Sequence, residues 1–203
     1  MKLFIYSPNN SPRLKYISKF ILGDLIGVES EIITEIEEVY TKEFVINYSN
    51  QDSVGLQIIP SKILFEKRIS HQELNMGEKN GFVTLFSNKN PDFGFDIFSA
   101  AFYLISRYEE YMPHKRDQHD RFSPEQSVAF KNGFLNQPII NIWAEYLKQK
   151  LAEKFPKLEF QPKQFQYINT IDVDYAYAYL EKGVIRSAGA LIRDFFTGNF
   201  TEF

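Results

Sequence analysis

Two aspartates, Asp172 and Asp174, lie two positions apart inside the apolar, tyrosine-rich stretch YINTIDVDYAYAY, residues 167–179. Side chains at i and i+2 of a β-strand point to the same face, so both carboxylates can project together where a predicted strand at 167–171 ends. Neighbouring carboxylates repel each other and are costly away from water. A divalent cation relieves this repulsion, because one carboxylate can ligate the metal while the other acts as a base toward a metal-bound water.

The same spacing also allows a purely structural role. Aspartates are common at strand ends and helix N-caps, where their carboxylates accept hydrogen bonds from backbone N–H groups. Taken alone, the D-x-D spacing favours this capping role over a metal centre. The choice between a capping role and a metal centre therefore depends on the residues around the pair.

Short apolar segments before the pair predict the strands of a layered domain. These segments are residues 2–6, 30–35, 44–48, 54–59, 62–66 and 81–86. We expect the segments at 54–59 and 62–66 to form a hairpin around Pro60 and Ser61.

Amphipathic periodicity and capping residues predict the helices between and after these strands. The predicted spans, with their capping or terminating residues, are about 12–26 (Ser11, Gly27), 97–112 (Asp96, Pro113), 138–155 (Pro138, Pro156) and 183–196. The fold class that follows is an α/β, or mixed α+β, layered N-terminal domain over residues 1–163. A proline-bearing connection, LEFQPKQFQ, separates it from a single strand–loop–helix unit at 164–203.

Composition narrows the classes of function. The 203-residue chain has a formal charge of −3 and contains no cysteine, so disulfides and thiolate metal sites are excluded. The absence of a global basic field argues against a nucleic-acid partner. No apolar run approaches the roughly 18 residues of a membrane span, and the start MKLFIY is too short for a secretory signal. We therefore expect a cytoplasmic protein with no membrane partner.

A densely charged stretch, SRYEEYMPHKRDQHDRF at 106–122, is the second candidate site. One interpretation is an acidic, His-bearing rim that contacts a sugar or another domain. The other is a solvated helix end and loop with ordinary ion pairs, which mixed charge favours. The candidate substrate or interdomain contacts are Arg107, Glu109, Glu110, His114, Arg116, Asp117 and, after the aspartate pair, Tyr175.

Two stretches carry a family resemblance. NTIDVDYAYAYLEKGVIRSAGALIRDFFTGNF (169–200) resembles the opening of a polysaccharide-deacetylase (NodB-homology) domain, whose first motif is similar to Thr170–Ile–Asp–Val–Asp174. FDIFSAAFYLISRYEEYMPHKRDQHDRF (95–122) resembles the uncharacterised domain that precedes the deacetylase domain in a group of larger bacterial proteins. Together these stretches cover about a third of the chain, and the D-x-D motif by itself is weak.

The resemblance implies a distorted (β/α) barrel, begun here by its first βα unit, that uses a divalent metal such as zinc to remove acetyl groups from a carbohydrate substrate. Asp172 would then be the catalytic base and Asp174 a metal ligand. The family also uses a downstream His-x-x-x-His motif, whereas the histidines of this chain, His71, His114 and His119, all precede the pair.

From this departure we expect the chain to be the N-terminal portion of a larger deacetylase, itself inactive and a poor metal binder, with a C-terminal segment open to oligomer formation. The alternative is a non-catalytic accessory module that binds a carbohydrate or a partner domain. The helix and loop at 96–122 would then be its contact surface.

Overall fold

A four-stranded parallel sheet forms the centre of the first part of the chain in the computed structural model, which describes residues 1–52, 54–162 and 164–172. Its strands are β1 (Lys2–Tyr6), β2 (Glu29–Ile33), β3 (Val45–Asn47) and β4 (Leu56–Gln57), in the order β2-β1-β3-β4. All three strand pairs are parallel. Every residue of β3 is buried, as expected for an inner parallel strand covered on both faces. The predicted mixed α/β class is confirmed at this level.

The first predicted helix is confirmed as one helical run in two parts. Helix α1 (Pro12–Ser18) continues into a π-helical segment, Lys19–Ile26. The Ser11 hydroxyl accepts a hydrogen bond from the Leu14 N–H at 3.0 Å, which satisfies one free donor of the first turn. Gly27 ends the run with φ of 83°, and a Cβ there would lie 2.5 Å from the Gln161 carbonyl oxygen. Glycine is required on both grounds.

The remaining α-helices of the described residues are α2 (Ile36–Val39), α3 (Ile97–Ile105), α4 (Val128–Lys131) and α5 (Ile139–Lys154). The apolar stripe predicted for α5 is confirmed, since Trp143, Leu147 and Leu151 are fully buried. The Trp143 indole also donates a hydrogen bond to the Val83 carbonyl at 2.8 Å. Helix α5 is therefore held in place by packing and by a hydrogen bond to the backbone at Val83.

A buried carboxylate, Asp96, ties three elements together. It caps α3 by accepting from the Ser99 N–H at 3.1 Å, and it accepts from the Ser61 N–H at 2.6 Å. The Tyr48 hydroxyl, just after β3, donates to the same carboxylate at 2.9 Å. Both Asp96 and Tyr48 are fully buried. The predicted N-cap is confirmed, and it also anchors α3 to the end of the sheet.

The predicted hairpin at 54–59 and 62–66 is wrong. Leu56 pairs in parallel with Ile46 of β3, and residues Lys62–Leu64 form a 3₁₀ turn. Ile63 and Leu64 are consecutive and both fully buried, which a strand with one solvated face does not allow. Their apolar character reflects burial in a turn that packs on α3 and accepts a hydrogen bond from Arg13 of α1, instead of strand alternation.

A two-stranded antiparallel hairpin lies further along the chain. It joins β5 (Gly77–Lys79) to β6 (Phe82–Thr84) through Asn80 and Gly81, which have φ of 48° and 81°. Only β6 belongs to a predicted segment, which ran over 81–86. Asn-Gly is the turn that two-residue hairpins prefer, so the missed partner strand had a local signal.

Helix α3 is shorter than predicted, because it ends at Ile105 and not before Pro113. The Ser106 hydroxyl donates to the Phe102 carbonyl at 2.7 Å, and Arg107 adopts a left-handed conformation with φ of 51°. A left-handed residue cannot continue a right-handed helix, so the chain turns there. A 3₁₀ turn, Tyr108–Tyr111, follows.

The chain divides into two compact units, Met1–Lys163 and Gln164–Phe203. Of the second unit the structure describes residues 164–172, which form neither helix nor strand. The helix predicted at 183–196 lies outside the described residues. Within the described part of the chain, no helix combines the length and the apolar character needed to cross a bilayer.

Candidate functional site

Of the predicted catalytic pair, the structure describes only Asp172. This residue is exposed and lies in an irregular segment, so the strand predicted at 167–171 is wrong within the described residues. A strand exists only where its backbone pairs with a neighbour, and the apolar residues Ile168 and Ile171 are here largely exposed. Asp174 and Tyr175 lie outside the described residues, and the predicted geometry of the pair stays a prediction.

The metal expected from the resemblance has no ligand set in the part of the chain that the structure describes. No group of three or more His, Asp or Glu side chains able to hold a metal ion occurs there. Zinc sites in enzymes use three protein ligands. Zinc or a similar metal therefore stays an expectation that rests on the family resemblance.

The charged stretch forms a well-defined site at the C-terminal end of α3. A pocket of about 610 Å³, here called the aromatic pocket, opens between the 3₁₀ turn Tyr108–Tyr111, the loop after it and the segment that precedes β5. Its lining residues are His71, Gln72, Leu74, Tyr103, Tyr108, Glu109, Met112, Pro113, His114, Phe122, Gln126 and Lys131. Rings, amides and charged groups thus share one concave surface, which is typical of small-molecule sites.

Hydrogen bonds at the base of the aromatic pocket fix its wall. The Tyr108 hydroxyl accepts from the Ser70 N–H at 2.9 Å. The Glu109 carboxylate accepts from the Val128 N–H at the start of α4, also at 2.9 Å. Two consecutive residues of one turn therefore hold two separate segments in place.

Burial perturbs the ionisable groups of this wall. It raises the pKa of Tyr103 to about 12, and the nearby Glu109 carboxylate adds to that effect. Burial also raises the pKa of the Glu109 carboxyl, although the hydrogen bond from the Val128 N–H acts in the opposite direction. Shifts of this kind are enriched at functional sites.

A second pocket of about 370 Å³, here called the arginine pocket, lies beside the first. Its lining residues are Arg107, Glu110, His114, Arg116, Asp120, Arg121 and Phe122. The Arg107 and Glu110 side chains form an ion pair, and an Arg116 nitrogen lies 2.5 Å from an Asp120 carboxylate oxygen. Pairs this exposed add little stability, so they order the loop more than they strengthen the fold.

The structure brings five of the predicted contact residues together. Glu109 and His114 line the aromatic pocket, and Arg107, Glu110, Arg116 and again His114 line the arginine pocket. These assignments give the charged stretch a concave surface.

Asp117 lies on neither pocket. Its carboxylate accepts from the His119 N–H at 2.8 Å and from the Arg121 N–H at 2.9 Å, which is a turn-stabilising role. Asp117 is thus explained by the loop alone.

Several lining residues come from segments that the sequence analysis did not single out. Gln72 is 8% exposed and donates through its amide to the Glu66 carboxylate at 2.9 Å. Lys131 is contributed by α4, a four-residue helix with no periodic signal. The ring of Phe122 packs edge-on against His114, with centroids 5.1 Å apart. Phe122 ends the charged stretch at 106–122, so it lay within the predicted site but was not among the predicted contact residues, and no spacing signal pointed to Gln72 or Lys131.

The carboxyl edge of the sheet is the other place where ligands gather in parallel α/β folds, at the point where the strand order reverses. Here that point lies between β1 and β3. The Ser49 hydroxyl donates to the Asn47 side-chain oxygen at 2.6 Å, and the Asn47 amide donates to the Gln51 carbonyl at 2.9 Å. These polar groups satisfy one another, so the edge is a structural network.

Comparison with known proteins matches this chain to a protein family. A model described as a family of unknown function (DUF7033) matches residues 3–156, which is more than half of the chain. No curated protein and no solved structure matches.

Proposed function

The chain belongs to this family of unknown function, DUF7033, and we propose that this member binds carbohydrate through the aromatic pocket as the accessory module of a metal-dependent polysaccharide deacetylase. In this proposal residues 1–163 bind the polymer and do no chemistry. Residues 164–203 open the deacetylase-like barrel, as the resemblance at 169–200 suggests.

The observation that carries the binding role is the composition of the aromatic pocket. Sugars present apolar C–H faces that pack on aromatic rings, and hydroxyls that need hydrogen-bonding partners. His114 and Phe122 are half-buried, so they keep accessible ring surface, while the half-buried Glu109 carboxylate has a second oxygen beside the one that accepts from the Val128 N–H. Aromatic groups with a few fixed polar groups suit a sugar better than a purely charged ligand.

The catalytic half of the proposal is supported by the motif at 170–174. Asp172 is assigned as the base and Asp174 as a metal ligand. A bound zinc ion or similar cation would supply a nucleophilic water.

The binding role is tested by titrating this chain with neutral oligosaccharides of four to six sugars, including N-acetylglucosamine oligomers, and measuring heat or NMR shifts. Phe122→Ala removes an aromatic face, and we expect affinity to fall about three- to tenfold. Phe130→Ala is the matched control, because Phe130 is 51% exposed and lines neither pocket. Equal effects of the two substitutions, or no binding by any sugar, would count against the module.

The catalytic role is tested on the natural protein that contains this chain, loaded with zinc. Released acetate is measured from acetylated oligosaccharides, and Asp172→Asn is compared with Asp174→Asn. We expect Asp172→Asn to abolish turnover while zinc stays bound, and Asp174→Asn to lower zinc content as well. Zinc content is measured by atomic absorption, which distinguishes loss of a metal ligand from loss of the catalytic base independently of turnover. Full activity in both variants would refute the assignment.

A further inference from the structure

The aromatic pocket and the arginine pocket form one continuous surface. They share two lining residues, His114 and Phe122, whose rings lie 5.1 Å apart. A ligand whose ring lies against these two side chains therefore has the guanidinium groups of the second pocket as its next neighbours. The joined surface can contact adjacent sugar units of one polymer.

The joined surface is more positive than the rest of the molecule. Four cationic side chains line it, Lys131, Arg107, Arg116 and Arg121, against three carboxylates, Glu109, Glu110 and Asp120. The whole chain, by contrast, has a formal charge of −3. The excess positive charge lies in the site itself.

Arg121 provides that excess. Arg107 pairs with Glu110, and Arg116 pairs with Asp120. The Arg121 backbone closes the loop through the Asp117 carboxylate and the Asp117 N–H. Its guanidinium forms no ion pair with the described residues, so five N–H donors are open to an incoming group.

We propose that the ligand of this joined surface is an anionic polysaccharide, with a sugar ring against Phe122 and His114 and a carboxylate held by Arg121. The proposal rests on the carbohydrate-binding function above and names its substrate class. A planar guanidinium matches a carboxylate through two parallel N–H···O bonds, which a neutral hydroxyl cannot accept in the same way. Arg107 and Arg116 stay paired with Glu110 and Asp120, so the carboxylate of the ligand is assigned to Arg121.

A single-stranded nucleic acid is the competing polyanion, because arginines beside aromatic rings also suit stacked bases. The charge balance favours the glycan. Three carboxylates lie among the four cations, which disfavours a polymer carrying one charge on every phosphate. An anionic polysaccharide that alternates neutral and acidic sugars matches the mixed lining better.

The test compares matched probes on the same chain. A hyaluronan hexasaccharide supplies alternating acidic and neutral sugars, its carboxyl-reduced form removes only the charge, and a dT hexanucleotide represents the other polyanion. We expect the acidic sugar to bind about tenfold more tightly than its reduced form at low salt, and this preference to shrink in 0.5 M NaCl.

Arg121→Gln assigns the preference to its residue. We expect it to weaken acidic-sugar binding about three- to tenfold and to leave the reduced sugar unchanged, while Arg121→Lys restores part of the preference. Arg68→Gln is the matched control, because Arg68 is exposed and lines neither pocket. Circular dichroism confirms that each variant is folded.

The outcomes separate the two proposals. Equal binding of the acidic and reduced sugars overturns the anionic ligand but leaves the carbohydrate-binding function standing. Failure of every sugar to bind overturns both. Tighter binding of the dT hexanucleotide, or equal losses in Arg121→Gln and Arg68→Gln, also refutes the anionic glycan.

Discussion

Replacing Asp96 with alanine removes a buried acceptor that three donors share. The Ser99 N–H loses its N-cap, which costs about 1 kcal/mol. The Ser61 N–H and the Tyr48 hydroxyl lose a buried partner, at about 1–3 kcal/mol each. The Ser99 hydroxyl lies 3.5 Å from the Tyr48 oxygen and can replace part of the second bond. The variant also relieves the desolvation that burial imposes on the carboxylate.

These opposing effects place the expected loss in the free energy of unfolding at about 3 kcal/mol, toward the lower end of the separate costs. Urea unfolding followed by tryptophan fluorescence measures it, since Trp143 is fully buried. The control is Asp24→Ala, an exposed aspartate, for which we expect a change within about 0.5 kcal/mol. If Asp96→Ala lowered the free energy of unfolding by less than about 1 kcal/mol, the hydrogen bonds of Asp96 would not be stabilising contacts.

A double-mutant cycle with Tyr48→Phe tests the coupling directly. Tyr48→Phe removes the hydroxyl and leaves Asp96 with its two backbone donors. Because the two side chains share one hydrogen bond, we expect a coupling energy of about 0.5–3 kcal/mol. Additive effects would show that the Tyr48–Asp96 contact contributes nothing of its own.

Three further predictions concern stability. Burial raises the pKa of Asp96 above its ordinary value of 3.8, so the folded state retains a proton that the unfolded state releases. Stability from this group should fall as pH rises from about 4 through the raised pKa, and Asp96→Asn should remove that slope in urea titrations at several pH values. Gly81→Ala should lower the free energy of unfolding by about 1 kcal/mol, because φ at Gly81 is 81°. Gly23→Ala should raise it by about 0.5–1 kcal/mol, because Gly23 lies in a helical turn with space for a Cβ. Equal shifts in melting temperature for the two variants would contradict this. Trp143→Phe leaves the Val83 carbonyl without its indole donor and should lower the free energy of unfolding by about 1–3 kcal/mol. Because Trp143 is the single tryptophan of the chain, urea unfolding of this variant is followed by circular dichroism, and an unchanged midpoint would refute the bond.

The sequence predicted those elements whose signals are local. The helical run from Pro12 and helix α5 combine a capping or initiating residue with apolar periodicity, and both signals survive folding. The strand prediction for residues 62–66 was wrong because two consecutive apolar residues fit a buried turn as well as a strand. Which of the two forms depends on the Ser61 N–H reaching Asp96, a partner 35 positions away. Periodicity carries no information about such contacts.

The candidate site was likewise predictable in one part and not in the other. The charged stretch at 106–122 was recognisable from residue types, and most of its predicted contact residues line the two pockets. The opposite wall was not predictable, because Gln72 lies in an irregular segment and Lys131 on a four-residue helix. These residues reach the pocket only because Tyr108 binds the Ser70 N–H and Glu109 binds the Val128 N–H.

The hydrogen-bond and ion-pair partners of the site residues show which side chains are available to bind a ligand. Tyr108 and Glu109 hold the backbone of neighbouring segments, so replacing either changes the pocket wall before it changes a contact. The Phe122 ring and the Arg121 guanidinium hold no backbone group of the described chain, and they lie on a loop beside an anchored helix. Binding residues commonly occupy such loops on rigid scaffolds. Substitutions at these two positions therefore test the proposed carbohydrate recognition, and substitutions at Tyr108, Glu109 and Asp96 test the scaffold around the pockets.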